Sequence, residues 1–256
     1  MSEPRPWILT EAAWPEVLGH EYEVAVLPWG ATEAHNRHLP YGTDVYECDH
    51  VAAEAGRLAW GAGARVAILP TVPFGVNSGQ LSIPMTLHIG PETQTAILVD
   101  LVAGMEAHGV RKFVILNGHG GNDFRSIVRS LQATFPGVFV TVVNWYKVVD
   151  EWAYFDEPGD HAGELETSLM MHVEPHLVRP LEVAGPGIGR TVGLSAHREG
   201  WAWAPRHWPS ATEDTGVGNP GASTAVKGAR YFEAITQRIG GYLADLAGAD
   251  LDHLYA

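Results

Sequence analysis

Residues 112–134 read KFVILNGHGGNDFRSIVRSLQAT. Lys112 to Leu116 is a nearly all-apolar run, the pattern of a strand buried on both faces. A glycine-rich turn follows, and Phe124 to Thr134 then reads as a helix. Outward from this unit the same alternation recurs. Glu23 to Pro28 reads as a buried strand, Val45 to Ala62 as an Ala-rich helix and Arg65 to Leu69 as a second strand. Pro91 suits the first turn of a helix that closes at Gly109, and Val138 to Asn144 is a fourth strand. Apolar strands separated by helices predict an α/β fold, with a central, mainly parallel sheet flanked by helices on both faces. The glycine and histidine motifs then fall at the carboxyl ends of strands, where open α/β sheets bind ligands.

Beyond residue 150 the strand signal weakens. His161 to Glu174 looks helical, Arg179 to Pro220 is a long Gly/Pro/Trp-rich stretch, and Gly221 to Leu246 is a final amphipathic helix. A stretch of that length without regular structure suggests a lid or an oligomer contact. Its EGWAWAPRHWP segment, with Trp201, Trp203 and Trp208, suits either role. With no linker, repeat or low-complexity segment, residues 1–256 are expected to form one domain.

The chain has 256 residues, with 16 Lys+Arg against 30 Asp+Glu and a formal charge of −14. That balance repels a phosphate backbone, and no run of Lys or Arg offsets it locally, so nucleic acid is not an expected partner. A single cysteine, Cys48, excludes an intrachain disulfide framework and a CxxC zinc site, which fits a reducing compartment. The opening MSEPRPWILTEAAW lacks the basic flank and apolar core of a secretory signal, and no stretch reaches the roughly 20 apolar residues that span a bilayer. A cytoplasmic protein without membrane contact is expected.

Thirteen histidines are the compositional anomaly, and several stand beside Gly, Asp or Glu in expected loops. Imidazole beside carboxylate is typical of metal sites and acid–base chemistry. Within LPWGATEAHNRHLPYGTD (27–44), Glu33 and His35 are two apart and share one side of an extended backbone. Asp44 falls where a helix begins, either to cap it or to face the same pocket. In LNGHGGN (116–122), paired glycines allow a close backbone approach to a ligand and throw His119 out at the sheet edge. A glycine turn can also cradle phosphate, but this one has no Lys or Arg, so a metal-ligating histidine fits better. In DHAGELETS (160–168), helical spacing puts His161 and Glu164 on one face and turns Glu166 away, as a hydrogen-bond acceptor behind the site or a solvated residue.

Glu33, His35, Asp44, His119 and Glu164 are one ligand too many for a tetrahedral mononuclear site with an open position. They suit two divalent ions that share a bridging carboxylate, hold a hydroxide and polarise a carbonyl. Oxygen and nitrogen donors without thiolate favour Zn, Mn or Fe(II). His38, His50 and His108 are expected to be structural.

GATEAHNRHLPYGTD, NGHGGN and HAGELETSLM, with GVGNPGASTAVKGARYF near the end, together resemble the creatininase (creatinine amidohydrolase) family. The resemblance spans almost the whole chain. It implies an α/β fold with a central sheet, a two-metal hydrolase site and a homohexamer. It also implies Glu33, His35, Asp44 and His119 as ligands, with Asp44 bridging. Creatininase carries a further carboxylate two residues after the NGH histidine, where this chain has Gly121; Glu164 occupies the place from which relatives with NGHGGN supply it. His161 matches the proton-shuttling histidine, so His161 and Glu164 are the expected catalytic residues.

Two departures bear on substrate. Arg37 brings a cation near the site, and PFGVNSGQLSIPMTLHIGPET (73–93) lacks the usual His-x-x-Phe-Pro-Gly-Thr wording. Arg37, Ser78, Gly120 and Trp145 are the expected substrate contacts, with Trp145 either stacking on a ring or serving as a core aromatic. The expected function is hydrolysis of a C–N bond in a small cyclic or linear amide by a metal-bridged hydroxide. The alternatives are ring opening of a cyclic polyol ketone, deformylation, or a non-catalytic metal-stabilised oligomer.

Overall fold

A computed structural model describes residues 5–255; residues 1–4 and 256 of the expected 1–256 domain lie outside the described residues. The elements are α1 (Trp14–Leu18), β1 (Val24–Trp29), α2 (Thr43–Gly61), β2 (Val66–Ile68), α3 (Pro91–Ala107), β3 (Lys112–Asn117), α4 (Arg125–Thr134), β4 (Phe139–Asn144), α5 (Glu164–Val173), α6 (Ser195–Arg198), α7 (Trp208–Ala211) and α8 (Ala225–Gly248). The four strands form one parallel sheet in the order β2-β1-β3-β4. Among the described residues no helix is long and apolar enough to cross a membrane.

Side chains alternate across the strands and divide the core between the two faces of the sheet. Val24, Val26, Val114 and Leu116 pack with Val51 and Ala55 of α2, Leu169 of α5, and Ile235 and Leu243 of α8. Leu27, Trp29, Phe113 and Ile115 pack with Leu98 and Val102 of α3 and Ile127 and Leu131 of α4. Burial on both faces is the reason the strands read as continuous apolar runs. Pro28 is tolerated in a central strand because β2 has already ended beside it; the Pro28 carbonyl instead accepts the Val72 N–H at 3.0 Å.

The chain runs from β1 through α2 to β2 on one side, then crosses by α3 to β3 on the other side of β1. The order therefore reverses between β1 and β3, whose carboxyl ends lead into the Glu33–His35 and His119 loops. A crevice at such a switch point is where this architecture places ligands.

Three boundaries differ from the sequence pattern in ways that affect the site. The helix expected from Val45 begins at Thr43 with Gly42 as its cap, so Asp44 lies inside the first turn and does not cap it. The helix expected from His161 begins at Glu164. Ala162 adopts φ 50° and His161 pairs antiparallel with Val217, so His161 and Glu164 do not share a helical face. The last helix starts at Ala225, where the Thr224 side chain caps the Lys227 N–H at 3.2 Å. The 179–220 stretch is mostly irregular, with only short turns such as α6 and α7.

Candidate metal centre

Glu33 and His35 leave the end of β1 and Asp44 arrives on α2. Gly30 permits the meeting, because a Cβ there would lie 2.8 Å from the Asp44 carbonyl carbon and the Val45 nitrogen. The first turn of α2 thus closes directly on the strand end. His119 follows β3 and is held by an asparagine web. Asn117 Nδ2 donates to the His119 carbonyl and to Asn144 Oδ1, at 3.0 and 2.8 Å. Asn122 donates to Asn117 Oδ1 at 3.0 Å and accepts from Gln94 and from the Val76 N–H. His161 enters from the segment leading into α5, and Glu166 from the first turn of that helix.

Three imidazoles are each tied to a backbone carbonyl through one nitrogen. His35 Nδ1 bonds the Glu33 carbonyl at 3.0 Å, His119 Nε2 the Val76 carbonyl at 3.3 Å and His161 Nε2 the Ala34 carbonyl at 2.8 Å. A neutral imidazole that donates at one nitrogen presents a lone pair at the other. Those second nitrogens face carboxylates, where each can carry a proton or, once it is lost, ligate a metal. His35 Nε2 lies 2.9 Å from Asp44 Oδ1, and His119 Nδ1 lies 3.0 Å from both Asp44 Oδ2 and Glu33 Oε1. His161 Nδ1 is 3.8 Å from Glu33 Oε1. Glu33 Oε2 accepts from Gln80 Nε2, and Glu166 Oε2 accepts from the Ala162 N–H.

The electrostatics follow from this crowding. Burial alone would suppress charge on His35, but Asp44 overcomes it and raises the imidazole to about 10. His119 is raised well above its ordinary value against burial, by Glu33 and Asp44. Against burial, His35 and His119 hold Asp44 below the usual carboxylate range, and His119 and His161 do the same for Glu33. Burial raises Glu166, with His35 and His161 opposing the shift. The carboxylates thus hold positive charge on the imidazoles between them.

The donor set fits metal ions. Asp44 Oδ2 is buried with no directed hydrogen bond, although His119 Nδ1 is 3.0 Å away. Ligand atoms about 2.0–2.2 Å from a shared ion sit roughly 3 Å apart without bonding one another. Glu33, Asp44 and His119 have ligand atoms within 4.8 Å of one another, as do His35, Asp44 and Glu166, and also Glu33, His35 and His161. Cys48 Sγ instead bonds the Trp29 carbonyl at 3.5 Å, which leaves oxygen and nitrogen as the donors.

The structure thus brings Glu33, His35, Asp44, His119 and His161 together but leaves Glu164 out. The Glu164 carboxylate pairs with Lys227 Nζ and accepts the Glu157 N–H at 2.7 Å; Glu166, two residues on, reaches the cluster in its place. Ser78 and Gly120 line the adjoining cavity of about 920 Å³, together with Tyr146, Arg206 and Trp208. Arg37 is exposed on the surface, outside that lining. Trp145 is 1% exposed and belongs to the core packed on α2 and α8, so the core-aromatic alternative describes its placement.

Of the Trp-rich stretch, Trp208 packs edge-on against His161 with ring centroids 4.7 Å apart. Trp203 lines the cavity mouth at 85% exposure. His38 bonds Thr167 Oγ1 at 2.8 Å, and burial with neighbouring His35 lowers it to about 4, so it is a neutral structural group. His50 ties α2 to Glu174 at 2.8 Å. Gln80 carried no sequence signal: its partner Glu33 is distant along the chain, and an isolated Gln in a polar loop has no diagnostic spacing.

The creatininase model, described as creatinine amidohydrolase, matches residues 10–243. The chain belongs to the creatininase family, whose members are metal-dependent hydrolases. A Bacteroides fragilis protein assigned provisionally as a creatinine amidohydrolase is 43% identical, with a TM-score of 0.92 over 98% of this chain and 99% of that one. The mycofactocin precursor peptide peptidase of Mycobacterium tuberculosis is 29% identical over 222 residues, 82% of this chain and 80% of that protein. A creatininase variant solved in a Zn–Zn form shares the fold, with a TM-score of 0.76 and 24% identity over 94% of this chain and 98% of that one.

Proposed function

We propose that the protein hydrolyses the C–N bond of an amide at a two-metal centre. Glu33, Asp44 and His119 would hold one ion, and His35, Asp44 and Glu166 the other. The observation that carries this reading is the Asp44 carboxylate, which offers Oδ1 to His35 and Oδ2 to His119 at 2.9 and 3.0 Å. Divalent ions bound there, Zn, Mn or Fe(II), would supply an activated water and polarise the scissile carbonyl.

The remaining steps belong to side chains of this chain. The Ala34 carbonyl fixes the Nε2–H of His161, so Nδ1 is the atom that takes up a proton and passes it to the leaving nitrogen. Trp208 covers one side of that ring and limits water there. Two features favour a linear amide over a compact ring. Trp145, the aromatic that a ring would stack on, is buried in the core. The cavity, at about 920 Å³, lies toward the upper end of the roughly 300–1,000 Å³ typical of ligand pockets.

The chain is read further as a single domain, cytoplasmic and homo-oligomeric, with a hexamer implied by the family. The deciding experiment is turnover of linear amides and short peptides against lactams by metal-reconstituted protein, with His161→Ala alongside. The reading expects cleavage of linear amides and a loss of about 10²–10⁴ in kcat for His161→Ala with metal content unchanged. Loss of metal in that variant would make His161 a ligand. No amide turnover in metal-replete protein would overturn the reaction.

A further inference from the structure

We propose that Gln80 is a positioning residue for the metal centre, acting through Glu33; the inference rests on the two-metal reading above. Gln80 lies in the segment that departs from the family's usual wording, on a short turn, Ser78–Gln80, and is 1% exposed. Its Nε2 donates to Glu33 Oε2, while Glu33 Oε1 faces His119 Nδ1 at 3.0 Å and His161 Nδ1 at 3.8 Å. The amide thus occupies one carboxylate oxygen and leaves the other aimed at the imidazoles.

The amide's orientation follows from Glu33. An ionised carboxylate only accepts, so the NH₂ side must face it. Gln80 Oε1 is then left buried without a partner, the arrangement expected where the Glu33 contact dictates the rotamer. The turn is itself clamped from outside. A Cβ on Gly79 would fall on the Arg206 carbonyl, and the Arg206 guanidinium pairs with Asp160, next to His161. The segment carrying Trp208 is therefore braced against the turn that aims Glu33. Partners that orient a metal-ligating side chain typically account for 10–100-fold in metal affinity.

The test measures Zn²⁺ affinity and stoichiometry on metal-stripped protein by competition with a chromophoric chelator. Wild type is compared with Glu33→Gln, Gln80→Met and Gln80→Asn, and the thermal midpoint of each stripped protein is recorded. Met keeps the volume without the donor, and Asn keeps the amide without the reach. The inference expects both Gln80 variants to bind Zn²⁺ about 10–100-fold more weakly, with midpoints near wild type. It is overturned if either variant binds as wild type does, or if affinity falls only in step with the midpoint. Failure of wild type to bind Zn²⁺, or of Glu33→Gln to weaken it, would overturn the metal centre itself.

Discussion

Glu164 and Glu166 stand two residues apart in the first turn of α5 and face opposite ways. Glu164 is fully buried against Lys227 and the Glu157 N–H, whereas Glu166 joins His35 and Asp44, their ligand atoms within 4.8 Å. If both metal positions depend on this division, Glu166→Gln lowers bound metal from about two ions per subunit to about one, and Glu164→Gln leaves the count unchanged. Elemental analysis of the three proteins decides this; equal content in all three removes Glu166 from the ligand set.

The Glu164–Lys227 pair links α5 to α8 and has a structural consequence. Lys227→Met leaves a buried carboxylate with only the Glu157 N–H, so the variant unfolds at lower temperature than Lys227→Arg. Adding Glu164→Gln to Lys227→Met removes the stranded charge and restores part of the loss. Thermal unfolding of wild type, Lys227→Met, Glu164→Gln and the double variant forms a double-mutant cycle, and additive effects would mean that the pair is not coupled.

Gly30→Ala forces a methyl group to within 2.8 Å of the α2 backbone at Asp44 and Val45. Overpacking of that kind costs about 1–3 kcal/mol. Because the displaced turn carries Asp44, metal affinity falls as well as stability. A denaturation midpoint and a metal titration measured together check this, and a stable variant with wild-type metal binding would contradict it.

The metal-stripped protein should be sensitive to alkaline pH. Protonated His35, raised from 6.5 to about 10, stabilises the stripped fold fully below about 6.5, and that contribution is lost as pH rises through about 10. Asp44 has the opposite sign: its carboxyl is held below 3.8, so its contribution is present above that value and lost as pH falls. The stripped protein's thermal midpoint should therefore decline between pH 7 and pH 10, while the metal-loaded protein holds, because bound cations replace the proton. Metal binding at neutral pH should also release protons, measurable by titration calorimetry in buffers of differing ionisation enthalpy. A stripped midpoint that stays flat to pH 10 would show that His35 is not charged there.

Local patterns in the chain were enough to indicate the parallel sheet, the helices on both faces and most of the cluster. Strand runs, Pro91 at a helix start and the two-residue spacing of Glu33 and His35 act over a few residues, where period and steric preference are strong. Tertiary structure alone decided which of two neighbouring glutamates meets the centre. The positive φ at Ala162 and the His161–Val217 pairing delay α5 until Glu164, which turns Glu164 toward Lys227 and Glu166 toward His35. The same holds for Gln80 reaching Glu33 and for Trp145 turning into the core. Each depends on segments remote in sequence meeting at the strand ends, and hydrophobic periodicity carries no information about which polar side chains converge there.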